Sequence, residues 1–286
     1  MTPGLWGGLT ALSWGTADFV TRFTGRAVGH MNSLLGMLTV TSFVLTMWVW
    51  LSGSSLTWDP SGLWLLALAG VGTLLGTMLL YQSLTRGPVT IVAPIVSGYP
   101  ALVVAIALVL GARLTAVQWG FFLLTMAGVV VVARSAGAFE EPGVYHRREL
   151  RLTLLVAVGS AVLFAIAISA WQHAVPIYGS LQAVWVPRLV ALVGLVPLFL
   201  VTRTRPAIPV RWWPPLAVQG LLDAGGYLAL FAGSTGRGSE IAAVTASGYA
   251  IVTVILARTF LREAISLIQW AGIAMVATGV LALSLL

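Results

Sequence analysis

The chain reads as an all-α polytopic membrane protein, with ten transmembrane helices arranged as two inverted five-helix repeats around a central cavity. Three observations predict this. Of 286 residues, 59% are apolar and only 8% are charged, against roughly 25% charged in a soluble domain. Long apolar blocks alternate with short polar connectors along the whole chain, and a hydrocarbon core of about 30 Å takes roughly 20 helical residues to cross. Finally, the stretch VSGYPALV around Ser97-Gly98-Tyr99 returns as ASGYAIVT around Ser247-Gly248-Tyr249, 150 residues later.

Taken in order, the first five spans fall near 4–23, 33–52, 62–84, 88–110 and 117–134. The second five fall near 151–173, 181–202, 214–234, 240–261 and 266–286. The blocks are continuous rather than alternating every second residue, so helices fit and an outer-membrane barrel does not. The first block has no basic leader and no small-residue cleavage site, and is read as helix one rather than as a cleaved signal. The connector AGAFEEPGVYHRRE between helices five and six is too short for a soluble domain.

The repeat extends past the triplets. With one residue inserted, Gln118-Trp119 falls on Gln269-Trp270, and Gly128-Val129 falls on Gly279-Val280. The copies are therefore 1–143 and 144–286. Five helices is an odd number, so the second copy enters the bilayer upside down relative to the first. Inverted repeats of this kind place a substrate site near midplane, where the copies face each other. Both Ser-Gly-Tyr triplets fall near the middle of their helices, the fourth and ninth.

Several function classes are excluded or made weak. There is no cysteine, and hence no disulfide frame and no thiolate metal site. Neither a G-x-x-x-x-G-K-[ST] phosphate loop nor an H-E-x-x-H pair occurs. No cofactor and no metal are expected. The net charge of +7 comes from arginine alone, since the chain has no lysine. These arginines sit mostly in connectors, where they meet lipid headgroups; nucleic acid is not the expected partner. Connectors after odd-numbered helices hold twelve arginines and those after even-numbered helices hold two, Arg113 and Arg237. The positive-inside rule then puts both termini outside the cytoplasm.

At these motifs the sequence resembles the drug/metabolite transporter superfamily, in its branch built from two EamA domains. The resemblance rests on Trp14-Gly15-Thr16-Ala17-Asp18-Phe19 and on the segments GARLTAVQWGFFLLTMAGV and REAISLIQWAGIAMVATGV that end the copies. It spans nearly the whole chain. Where the family pattern carries an acid, Glu263 keeps it and Ala112 does not. The resemblance implies a cavity ringed by helices 1, 3, 4, 6, 8 and 9. It also implies cytoplasmic termini, against the arginine distribution, and the arginines are followed here.

A charge at mid-bilayer costs from about 3 to over 10 kcal/mol, and three such charges are expected there. Arg188 in helix seven and Asp223 in helix eight lie within about 5 Å of the same depth, at 1.5 Å per residue. They can pair to staple two helices, or meet substrate. Asp18 lies one helical turn after Trp14 on the same face. A carboxylate beside an aromatic face holds cations, and such an acid can exchange a proton for substrate. The position resembles the helix-one acid of the small multidrug resistance proteins. Alternatively, Asp18 pairs with Arg22 at i+4. Asp18 and Asp223 are the candidate proton-coupling groups.

Ser97, Tyr99, Ser247 and Tyr249 offer hydroxyls to substrate or to backbone. Pro94 and Pro100 each remove a helix hydrogen bond and are the candidate hinge; Pro94 leaves the Thr90 carbonyl free. Ala250 replaces Pro100 in the second copy, so helix four is the expected bending element. Tyr81, Trp171, Trp185 and Tyr227 complete the candidate lining. Trp48, Trp50, Trp58, Trp64, Trp212 and Trp213 lie near helix ends, as interfacial anchors do.

The function expected is export of a small amphipathic cationic or zwitterionic metabolite, amino acid or drug across a prokaryotic cell membrane. Protons are the candidate coupling ion. The partners are a small-molecule substrate and the lipid bilayer, and the sequence leaves the oligomeric state open. An uncoupled facilitator is the nearest alternative, and a non-transporting membrane scaffold is the alternative of another class. No enzyme activity is expected.

Overall fold

A computed structural model describes residues 2–135, 147–233 and 239–285. The repeat boundary at 143 and Arg237 lie outside the described residues. The first copy contains α1 (Pro3–Val28), α2 (His30–Ser52), α3 (Leu63–Arg86), α4 (Val89–Val96), α5 (Tyr99–Val109) and α6 (Ala116–Ser135). The second contains α7 (Arg147–Thr202), α8 (Trp213–Gly233), α9 (Ser239–Ala246), α10 (Tyr249–Leu256) and α11 (Leu267–Leu285). No strand occurs among the described residues.

Among the described residues, eight helical stretches are long and apolar enough to cross a bilayer. One of them, Arg148–Thr202, has 55 residues, more than twice the roughly 20 that one crossing takes. The sequence reading has two helices here, at 151–173 and 181–202. The structure also has two helices here, which meet at Gly179: its φ of 74° and ψ of 160° are non-helical, and only glycine adopts that φ freely. Pro176 lies inside the first of them without ending it. α1 is not among the eight, because Thr10, Ser13, Asp18, Thr21, Arg22 and Thr24 lower its hydropathy. Four of those six (Thr10, Thr21, Arg22 and Thr24) are at most 5% exposed.

The copies run in opposite directions. The end of α1 packs on the end of α3, where Gly25 lies against Thr85. The start of α7 packs on the same corner, with Thr153 against Gly87. Their exchange is reciprocal: α1 packs on α8, α9 and α10 of the second copy, and α7 packs on α3, α4 and α5 of the first. α6 and α11 pair through glycines. Gly128 faces the backbone of Gly272 and Val276, and Gly279 faces Phe121 and Thr125. Small residues let helix backbones approach where lipid gives no hydrophobic drive to associate.

Both fourth-position helices break at the repeated triplet. Ser97 Oγ donates to the Pro94 carbonyl at 3.0 Å, and Ser247 Oγ donates to the Val244 carbonyl at 2.6 Å. Gly98 (φ −73°, ψ −4°) and Gly248 (φ −70°, ψ 1°) then lead into new helices at Tyr99 and Tyr249. Helix four is the expected bending element, and helix nine breaks in the same way. Ala250 follows the second break as Pro100 follows the first, so the break does not depend on that proline. The Thr90 carbonyl freed by Pro94 is taken by Gln269 Nε2 at 3.1 Å.

The reading of Arg22 is corrected. The sequence places it in a connector or beside Asp18, but it lies within α1, 5% exposed. Its Nη1 donates to the carbonyls of Leu84, Thr85 and Gly87 at 2.7–3.0 Å. At the other end, the α2–α3 connector is tied to α7. Gln182 exchanges two hydrogen bonds with the Thr57 backbone, and Tyr178 donates to the Asp59 carbonyl. Trp48, Trp50, Trp58, Trp64 and Trp213 are all exposed, as interfacial anchors should be.

Candidate functional site

α1 and α8 lie side by side in opposite directions, and their facing residues build the site from three tiers. Nearest the arginine-rich end, Gln219 Nε2 donates to Thr21 Oγ1 at 2.9 Å and to the Tyr81 hydroxyl at 2.6 Å. Its Oε1 accepts from Thr24 at 2.8 Å, and Thr24 shares a 2.8 Å bond with Ser33. In the middle, Trp14 Nε1 donates to the Asp223 carbonyl at 3.3 Å. In the far tier, Thr10 Oγ1 donates to the Gly226 carbonyl at 3.1 Å. The spacings 219, 223, 226 and 10, 14, 21 are helical, so each helix turns one face to the other.

The middle tier holds the charges. Arg188 Nη2 donates to Asp223 Oδ1 at 3.2 Å and to the Tyr227 hydroxyl at 2.6 Å. Thr41 Oγ1 donates to Asp223 Oδ2 at 3.1 Å. The side chains of the pair are 6% and 14% exposed. Arg188 Nη1 is buried without an acceptor. Asp18 accepts no hydrogen bond among the described residues and is only partly buried. It shares an electrostatic neighbourhood with Asp223, Tyr81 and Tyr249. The pair cancels its own charge, which leaves one free carboxylate and one free guanidinium nitrogen in the same interior.

Aromatic rings wall this interior. Trp14 stands edge-on to Tyr227 at 4.9 Å and to Tyr249 at 6.3 Å between centroids. Tyr99 lies 6.2 Å from Phe164, and Tyr99 and Tyr249 are electrostatic neighbours across the copies. The two triplets also touch one small gap, lined by Ser97 from one copy and by Ser247 and Gly248 from the other. The site therefore sits where the copies cross.

The predicted residues divide cleanly. Trp14, Asp18, Tyr81, Tyr99, Arg188, Asp223, Tyr227 and Tyr249 come together. Ser97 and Ser247 spend their hydroxyls on their own backbone. Trp185 donates to Thr46 at 2.9 Å, and Trp171 packs on a satellite cluster of Leu65, Leu66, Ala69 and Tyr178. Among the described residues, no hydrogen bond or ring contact joins either tryptophan to the Trp14–Tyr227–Arg188 group. Gln219, Thr41 and Phe164 were not foreseen. Gln219 was legible, since 219, 223 and 227 form one helical stripe; Thr41 and Phe164 carry no such signal.

The interior is sealed at the arginine-rich end. Tyr81, Thr21, Thr24, Ser33 and Gln219 are 0–3% exposed, all toward the arginine-rich end. Beyond that seal, Trp14, Asp18, Tyr99, Asp223, Tyr227 and Tyr249 all retain partial exposure. No cluster of three or more His, Asp or Glu able to hold a metal occurs among the described residues.

The family described as "EamA-like transporter family" matches residues 2–134 and again residues 151–285. No curated protein sequence matches the chain. Thirteen solved chains match. One, titled "Crystal structure of protein", superposes with a TM-score of 0.65 at 16% identity, covering 98% of this chain and 96% of its own. At that identity the likeness is one of fold.

Proposed function

Since this chain belongs to the EamA-like transporter family, we propose that it exports a small amphipathic cationic or zwitterionic solute by alternating access, in exchange for protons. Transport of small molecules by a multi-pass membrane protein follows from the family. The solute class rests on one observation: Asp18 is an unpaired carboxylate in an aromatic-walled interior that also offers a free nitrogen of Arg188. An ammonium group would meet Asp18 and the ring faces, while an anionic group on the same solute would meet Arg188 Nη1. An amino acid carries both.

Asp18 would hold a proton when the solute is absent and release it when a cation arrives. In this reading the chain crosses the membrane ten times. α1 crosses despite its polar face, which is turned inward, and α7 crosses twice about Gly179. α4 with α5 makes one crossing, as do α9 with α10. The arginine-rich end faces the cytoplasm of a prokaryotic cell, and a reporter fused to the C terminus would be active only outside. Ser97 and Ser247 would act as break points rather than as ligands.

The test uses purified protein in liposomes, screened against amino acids and organic cations. A ligand should release protons on binding, and Asp18→Asn should abolish that release. Unchanged release in Asp18→Asn removes proton exchange. Absence of any flux removes the carrier and leaves a scaffold.

A further inference from the structure

The two copies differ where their fourth-position helices meet the following connector. In the first copy α5 ends and the chain turns at Gly111, with φ 95°, before Ala112. In the second, α10 runs into a π-helical turn at Ala257–Leu261, and Arg262 takes the corresponding positive φ, 55°. Glycine adopts that conformation freely, whereas arginine is strained in it. π-turns and strained residues of this kind concentrate at functional positions. The strained turn aims Glu263 at the first copy.

Glu263 grips the start of α4. Its Oε1 accepts from the Val89 amide at 3.0 Å, and its Oε2 accepts from the Thr90 amide at 2.9 Å and the Thr90 hydroxyl at 2.8 Å. Val89 and Thr90 are the first two residues of α4, whose N–H groups have no partner within the helix. A carboxylate also suits the positive end of the helix dipole. Arg258 Nη1 donates to the Glu263 carbonyl at 3.0 Å, and Gln269 holds the Thr90 carbonyl at 3.1 Å. Every residue of α4 is buried, and α4 leads directly to the Ser97-Gly98 break and Tyr99. At the copy-related position of Glu263, Ala112 offers no side-chain acceptor.

We propose that Glu263 is a positioning residue of the transport cycle: a one-sided latch that holds the start of α4 and keeps the chamber shut toward the arginine-rich end until it lets go. Inverted repeats give the two end states matching contacts, so an interaction present at one end alone biases their populations. The latch rests on the carrier reading above.

The chain has no cysteine, so one introduced thiol reports alone. Ser33→Cys places it in the sealed half, fully buried beside Thr24 and Gln219. Ser160→Cys is the control, equally buried and bonded to the Gly76 carbonyl away from the seal. In sided membrane vesicles, a membrane-impermeant maleimide added at the arginine-rich face should label Ser33→Cys about tenfold faster with Glu263→Ala, a population change that leaves Ser160→Cys slow. Thr90→Val removes one of the three bonds with little change of shape; it should give a smaller rise in the same direction, and it serves where Glu263→Ala fails to assemble. Equal acceleration at both thiols means a merely structural cap and overturns the latch, as does no acceleration at either. A parent that moves no solute removes the carrier itself. A parent that moves solute while Ser33→Cys labelling ignores Glu263 and Thr90 removes the latch alone.

Discussion

Arg188 and Asp223 meet at 3.2 Å between α7 and α8, and the second terminal nitrogen of the arginine is left without an acceptor. A buried pair is seldom a net stabiliser against well-packed apolar residues, but breaking it leaves a lone charge, at a cost of about 3–5 kcal/mol. Arg188→Met should therefore lower the melting temperature in detergent far more than a surface substitution does. The double variant Arg188→Met/Asp223→Leu should recover part of that loss, since neither charge remains. Losses that simply add would show that the two side chains act independently.

Adjacent glycines in α8 give a second test. A Cβ at Gly226 would collide with the Trp14 indole, whereas one at Gly225 meets nothing within 4 Å. Gly226→Ala should displace Trp14 and weaken solute binding by about tenfold, equal to about 1.4 kcal/mol. Gly225→Ala should leave binding unchanged and, by helix preference, gain roughly 0.5–1 kcal/mol of stability. Equal affinities in the two variants would mean that Trp14 does not touch solute.

A third concerns Asp59, outside the membrane-spanning segments. The Ser61 amide donates to its carboxylate at 2.9 Å, and that bond holds the Asp59 carboxyl below its ordinary range. A depressed acid adds stability above its unfolded value, about 3.9, and loses it as pH falls through the folded value. The 53–62 connector should exchange its amide hydrogens at a stable level from pH 7 to 5, once intrinsic rates are corrected. Protection should then fall below about pH 4. Asp59→Asn should flatten that acid limb, and an acid limb surviving in Asp59→Asn would assign it to another group.

The candidate site was legible where a single helix carried its signal. Trp14 and Asp18 share a face by spacing alone, and an intramembrane Arg188 and Asp223 call for a partner because lipid offers none. Glu263 was visible as an acid of the repeat, but what it holds was not. Its partners Val89 and Thr90 are 174 and 173 positions away in the chain, and backbone amides leave no mark in a sequence. For Ser97 and Ser247 the sequence left two readings open for a related reason: a hydroxyl has the same identity whether it serves a ligand or its own helix.

Sequence alone determined the all-helical membrane class and the two-copy organisation, because these follow from hydropathy, span length and a repeated motif, all written locally along the chain. Tertiary structure decided which polar groups cancel and which stay free. Arg22 goes to the α3–α4 corner, Arg188 goes to Asp223, and Asp18 is left over. The physical reason is that interior charge is shared among groups from several helices, so the state of each depends on geometry that no single stretch of residues contains.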